Sequence, residues 1–310
     1  MYEFHPYFTN DGSVGLYNEA FNDIYHSAKG ALTEAYEKFI YPLDFENILK
    51  KDKINVLDIC YGIGYNSKSF LNYIFINFLK NKKYNSIPHI DKIDTHNFST
   101  KDLRIYNSEI HNDNIFNKIS VTAVDNDKFL CCLSPFIKTN LNMLTNSNIN
   151  FKYKNIEKYI KINNFQKIDK NLKINKIINY LIFSKIFESN PDIYTNIDFA
   201  NLLFDEKFRQ YFGNDLKGIF AYKIKCQGNN TLLQNNFTFL HNIYYKHLSN
   251  MYKKNLKRYK LQDFTFRTVF DDARNFILSD NNKYDIVFLD AFTPTKCPCL
   301  WSYEFLKVQD

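Results

Sequence analysis

Four short apolar runs in this chain each stop at an acidic residue, and that repetition constrains the fold more than any other feature. The runs cover 54–59, 119–124, 264–270 and 284–290, and they end at Asp58 with a glycine turn, Asp125, Asp272 and Asp290. Unbroken apolar runs of this length are the pattern of strands buried on both faces of a parallel sheet. Helical spacing follows the first and third runs, at 67–79 and 274–278. Strands alternating with helices predict a doubly wound α/β sheet, whose ligands bind beyond the carboxyl ends of the strands. One acid at a strand end is ordinarily a helix cap. Four on consecutive strands point to a shared ligand edge.

Two further segments complete the expected layout. Near the start, Asn10-Asp11-Gly12-Ser13 sits between β-prone pieces and predicts a hairpin, followed by a helix over 28–40. Between the second and third strands, residues 140–262 form an insertion with helical spacing at 174–187 and 237–252. The expected division is therefore 1–45 as a hairpin and helix packing on the ligand site, 46–139 with 263–310 as the sheet core, and 140–262 as a helical insertion. The net charge of +7 is unevenly spread: residues 151–260 carry 20 Lys+Arg against 8 Asp+Glu, while the remainder is net negative. A basic segment beside an acidic body fits a polyanionic partner such as RNA. Only five of the 40 basic residues are Arg, so the Asn/Lys-rich composition accounts for the charge equally well.

The turn after the first strand narrows the cofactor. Gly62-x-Gly64 lacks the third glycine of a dinucleotide fingerprint and the Gly-Lys-Ser/Thr of a P-loop. It suits S-adenosylmethionine (SAM), whose methionine and ribose need close backbone approach but no pyrophosphate cradle. Asp125 is then placed to accept from the ribose hydroxyls, and Asp272 with Ala273 to read the adenine edge.

These residues also resemble a known family. Asp58-x-x-Tyr61-Gly62-x-Gly64-x-Asn66 is similar to the first motif of the MnmC-type tRNA methyltransferases. The run from Leu289 to Trp301 resembles their Leu-Asp-x-Phe-x-Pro-x-Lys-x-Pro-x-x-Trp signature. Thr9-x-Asp11-Gly12-Ser13, Tyr25-His26-Ser27, Gly30-Ala31 and Glu34 match as well. The matching blocks lie within roughly 1–40, 54–70, 119–128 and 264–306. The resemblance implies a class I, Rossmann-like SAM-dependent methyltransferase that methylates the exocyclic amine of 5-aminomethyl-(2-thio)uridine at the wobble position of tRNA. It implies the standalone form, without the FAD-dependent oxidoreductase domain of bifunctional members, so that FAD chemistry on the same tRNA would belong to a partner. Asp58, Gly62, Gly64 and Asn66 would then hold SAM, with Tyr25-His26-Ser27 as a flap over it. Asp290 would orient the amine and take its proton, and Phe292 and Trp301 would wall the uracil or pack the motif. Two other readings stay open: a non-catalytic RNA-binding remnant of this fold, and a transferase acting on a small amine.

The chain departs from the family pattern in two ways. Cys60 stands where the turn usually has a small glycine, and Tyr61 and Tyr65 are expected to crowd the loop further. Only twenty residues follow Asp290, so the last strands of a class I sheet are missing and the chain reads as a fragment. The fourth strand would then be an exposed edge of Ile286, Val287, Phe288 and Leu289. Met1-Tyr2-Glu3-Phe4-His5 is not a secretory leader, no run reaches membrane-spanning length, and six cysteines in such a chain are expected to stay reduced, which together predict a cytoplasmic protein. Cys297-Pro-Cys299 lacks zinc-knuckle spacing, so no metal is expected.

Overall fold

The computed structural model describes residues 4–19, 22–26, 29–74, 118–137, 178–204, 211, 246, 249–250, 253 and 264–307. Its strands in chain order are β1 (Phe4–Phe8), β2 (Val14–Asn18), β3 (Asp23–Ile24), β4 (Ile54–Ile59), β5 (Ile119–Asp125), β6 (Thr265–Phe270) and β7 (Ile286–Leu289). The last four form one parallel sheet in the order β6-β5-β4-β7, as the apolar runs predict. β4 is central, pairing Asp58 with Ala123 on one side and with Phe288 on the other. Being sheltered on both faces, it reads as a continuous apolar strand, with Ile54, Val56, Leu57 and Ile59 all buried.

The two faces of the sheet are covered unequally. On one, Val56, Val121, Ala123, Phe266 and Phe288 share a large core with the helix Tyr65–Ile74, the helix Lys128–Leu133 and the N-terminal segment. Residues 178–204 join this same core through Phe183, Ile186, Tyr194 and Phe199, and the Tyr194 hydroxyl donates to the Cys132 carbonyl at 3.3 Å. The helical spacing at 174–187 is thus seen as a helix over 178–189, while most of 237–252 lies outside the described residues. On the other face Leu57, Ile59 and Val124 meet a smaller cluster of Ala273, Phe276, Leu300 and Phe305, from the helices Ala273–Ser279 and Tyr303–Lys307 and the 3₁₀ turn Pro298–Trp301. Helices on both faces of a parallel sheet make the Rossmann-like α/β architecture.

β7 closes the sheet at one side among the described residues, but its side chains are not the exposed row expected from the sequence. Phe288 is fully buried against Phe39 and Phe70, Ile286 is also buried, and only Val287 is exposed. The N-terminal segment, through Phe39, and the helix Tyr65–Ile74, through Phe70, supply that cover. β1 and β2 pair as the expected hairpin, with Phe8 opposite Val14, and Gly12 takes the positive φ of 76° that the turn requires.

The helix expected over 28–40 begins at Ala31, forms one α turn (Ala31–Glu34) and widens into a π-helix, Ala35–Ile40. Its start is fixed by the hairpin turn. The Asp11 carboxylate accepts from the Thr33 N–H (2.7 Å) and hydroxyl (2.8 Å), and Ser13 Oγ accepts from the Ala31 N–H (2.9 Å). A distant turn thereby satisfies the helix's first free donors. Gly30 has φ +151°, and a Cβ there would overlap the Asp11 carboxylate. No helix among the described residues is long and apolar enough to cross a membrane.

Candidate functional site

The turn leaving β4 is buried throughout, and its two glycines have unequal surroundings. Tyr61 and Tyr65, expected to crowd the loop, both turn into the core and are almost fully buried. The Tyr61 ring fills the place a Cβ on Gly64 would need, and its hydroxyl lies 2.9 Å from Ser134 Oγ, which donates to the Ile63 carbonyl at 2.7 Å. Tyr65 receives the Val14 N–H on its hydroxyl at 2.8 Å, tying the hairpin to this helix. Their bulk therefore braces the turn from behind. Gly62 is also buried but less crowded: it has φ +55°, and the nearest atoms to a Cβ there, the Cys60 carbonyl and the Tyr25 ring, are 3.9 Å away. Cys60 adopts φ +61°, a left-handed conformation that favours glycine.

Three of the four strand-end acids converge on this turn. Asp58, fully buried, accepts the Ser67 N–H (3.1 Å) and hydroxyl (2.5 Å) on Oδ2 and so caps the following helix from below. Burial pushes its pKa up to about 8, with Asp290 and Asp125 adding repulsion. Asp125 accepts the Gly62 N–H (2.8 Å) and the Asp127 N–H (2.9 Å), and burial raises it to about 6. Asp290 follows β7, accepts Asn66 Nδ2 at 3.1 Å, and is raised chiefly by burial. A carboxylate with a raised pKa is a better proton acceptor.

Asp272 stands at the same sheet edge beside β5, but its carboxylate is engaged. It caps the helix Ala273–Ser279 through the Arg274 N–H (2.9 Å) and binds the Arg274 guanidinium at 2.6 Å, which lowers its pKa. Ala273 is buried in the smaller cluster as the first residue of that helix. The acid outside the converging set is thus the one with its own cation.

Tyr25 and His26 lie over the turn, while Ser27 lies outside the described residues. The Tyr25 ring packs on Phe292 at 4.9 Å, and His26 packs edge-on against Tyr65 at 5.1 Å. The Tyr7 hydroxyl holds the His26 carbonyl at 2.6 Å. Burial lowers the His26 pKa, favouring the neutral ring. Trp301 donates its indole N–H to the Phe292 carbonyl at 2.7 Å, folding the loop after Asp290 back on itself.

The residues present fit SAM in kind. A Cβ on Gly62 would meet nothing closer than 3.9 Å, Asp125 stands one strand over, and Asn66 Oδ1, Asp58 Oδ1 and His26 Nε2 are buried without a hydrogen-bond partner among the described residues. Buried polar atoms are rarely left unpaired unless a ligand or water meets them. Two residues escaped the sequence reading. Ser134 staples the turn as described, and Lys68, itself buried, donates to the Ser134 carbonyl at 2.6 Å. Neither carries a local signal, since both act across more than sixty residues.

Comparison with known proteins adds the following. A family model described as S-adenosyl-L-methionine-dependent methyltransferase matches residues 235–309. An uncharacterized protein of Methanocaldococcus jannaschii is 53% identical over 36 residues, which span 12% of this chain and 10% of that protein. The crystal structure of MNMC2 from Aquifex aeolicus aligns with 99% of this chain and 55% of its own at 16% identity, with a TM-score of 0.40. The C-terminal quarter of the chain, which carries β6, β7 and Asp290, is thus similar to SAM-dependent methyltransferases.

Proposed function

We propose that this chain is a SAM-dependent methyltransferase acting on the aminomethyl nitrogen of 5-aminomethyl-(2-thio)uridine at the tRNA wobble position. The observation that carries the reading is the meeting of Asp58, Asp125 and Asp290 with the Tyr25-His26 segment around Gly62. SAM, held by Gly62, Asn66 and Asp125, supplies an electrophilic methyl group. The protein's task is then alignment, because an in-line displacement needs the nucleophile close and correctly oriented. An alkylamine reaches the site largely protonated, and Asp290 accepts the proton that exposes its lone pair. Phe292 and Tyr25 offer apolar surface for a uracil ring. A wobble base sits in a single-stranded loop and can be drawn into a pocket at little energetic cost. The basic segment 140–262 would attract the anticodon arm, and an oxidoreductase acting on the same tRNA would prepare the amine.

The test uses tRNA from cells that lack the final methyl group, incubated with SAM and the protein. Mass spectrometry is expected to show one methyl gained on the wobble nucleoside, and Asp290→Ala to lower the rate by about 10²-fold or more. A methyl placed elsewhere, or full activity in that variant, would defeat the assignment. Salt-sensitive tRNA binding with no heat of SAM binding would favour the RNA-binding remnant.

A further inference from the structure

Asn66 follows the glycine turn and bonds Asp290, and the two ends of its carboxamide are treated unequally. Both residues are held against β4. The Lys68 N–H donates to the Gly64 carbonyl at 3.0 Å, and Ser67 bonds Asp58 through its N–H and hydroxyl, so the helix start that carries Asn66 is fixed. On the other side of β4 the Asp290 N–H donates to the Ile59 carbonyl at 3.3 Å. Asn66 is 5% exposed, and its Nδ2 donates to Asp290 Oδ2 at 3.1 Å. An ionised carboxylate only accepts, so the amide nitrogen, and not the amide oxygen, must face it. The oxygen, Oδ1, is buried with no partner among the described residues. Buried polar atoms are normally paired, so this oxygen marks the place of a ligand's donor.

We infer that Asn66 is a positioning residue that ties the cofactor to the base: Oδ1 accepts a hydrogen bond from bound SAM, which locks the carboxamide with Nδ2 on Asp290 Oδ2. The inference rests on the methyltransferase reading and deepens it, because it states how cofactor binding prepares the residue that takes the amine's proton. With Oδ2 already accepting from Nδ2, the proton leaving the substrate ammonium lands on Asp290 Oδ1. The electron pair this frees on nitrogen forms the N–C bond as the C–S bond of the sulfonium breaks, and sulfur keeps the pair of the broken bond. A secondary ammonium leaves, and Asp290 returns its proton to solvent. The bond from Nδ2 also favours the charged carboxylate, against the burial that raises Asp290. The other groups whose charges bear on Asp290 are His26, Glu34 and Lys38 from the N-terminal segment, and Asp58 and Cys60 from β4 and its turn. Asn66 differs from them in joining Asp290 by a direct hydrogen bond while keeping a second polar atom for a ligand.

The test reads the base and the cofactor separately, on the full chain. Single-turnover methylation of an anticodon stem-loop RNA carrying 5-aminomethyluridine is followed between about pH 5 and 9, where the acid limb reports Asp290 losing its proton. Asn66→Ala removes the bond that favours the carboxylate, so its limb is expected to move up by about one pH unit, the scale of one hydrogen bond to a charged group. Raising the pH then recovers part of the lost rate. SAM alone, titrated by calorimetry without RNA, is expected to bind Asn66→Ala about tenfold more weakly. Asn66→Asp keeps an oxygen for SAM and replaces the donor by a like charge. It is expected to bind SAM more tightly than Asn66→Ala while moving the limb at least as far, and being of the same size it carries the test where the alanine variant does not fold. A rate lowered equally at every pH in both variants, or SAM affinity unchanged in Asn66→Ala, overturns the inference while methylation by the wild type stands. A wild type that neither binds SAM nor methylates the RNA removes both readings.

Discussion

Inside the helix that follows the glycine turn, Lys68 places an ammonium group among apolar side chains, with the Ser134 carbonyl as its acceptor. Burial lowers its pKa from 10.5 to about 7. Between those values the unfolded chain binds the proton and the folded chain does not, so Lys68 makes stability rise with pH from about 7 to 10. Lys68→Met is expected to flatten that rise and to add on the order of 1–2 kcal/mol at pH 7, as read by thermal unfolding across pH. Cys60 is a second residue under constraint. Its left-handed φ disfavours a side chain, so Cys60→Gly is expected to gain up to about 1 kcal/mol and to tighten SAM binding measured by calorimetry. The sequence showed Cys60 as a departure at this turn. It did not show that Tyr61 and Tyr65 face inward, because spacing within a tight turn does not say which side a ring takes.

At the scale of elements, the hairpin turn and the helix at Ala31 behave as one unit. Asp11 accepts bonds from Thr9, Ser13 and Thr33 and is itself buried, so the clip is complete without solvent. Asp11→Ala removes the acceptor for the Thr33 N–H and hydroxyl and is expected to cost about 2 kcal/mol. It also loosens the segment that carries Tyr25, His26 and Glu34. Limited proteolysis should then cut between β2 and the helix, and affinity for SAM should fall with it. The strands were legible because a parallel sheet buried on both faces writes continuous apolar runs, and β4 matches its run residue for residue. The change to π geometry after Glu34 was not legible, since the same residues satisfy either helical period. Asp272 was readable in both ways, as ligand or as cap, and Arg274 two residues on is what engages its carboxylate.

For the molecule as a whole, the uneven cover of the sheet matters most. β7 ends the sheet among the described residues with Val287 exposed, and Trp301, Leu306, Leu278 and Tyr303 are exposed apolar side chains elsewhere on the C-terminal segment, Leu278 and Tyr303 more than 70% exposed. A strand edge with no partner among the described residues and an exposed apolar side chain invites association. Val287→Lys is expected to reduce self-association in sedimentation or light scattering while leaving the unfolding temperature nearly unchanged. The share of residues 178–204 in the main core was hidden, because an Asn- and Lys-rich insertion gives helical spacing but no sign of which surface the helix covers. Charge drew attention to that segment as a partner surface, whereas Phe183, Tyr194 and Phe199 make part of it structural.

Val56 stands beside Ile286, so the middle of the sheet is flanked by chain that a ribosome delivers some 230 residues later. Throughout that interval β4 has one naked flank, and Phe39 and Phe70 lack the Phe288 ring they later pack on. During synthesis a half-built sheet is therefore exposed to association until β7 arrives.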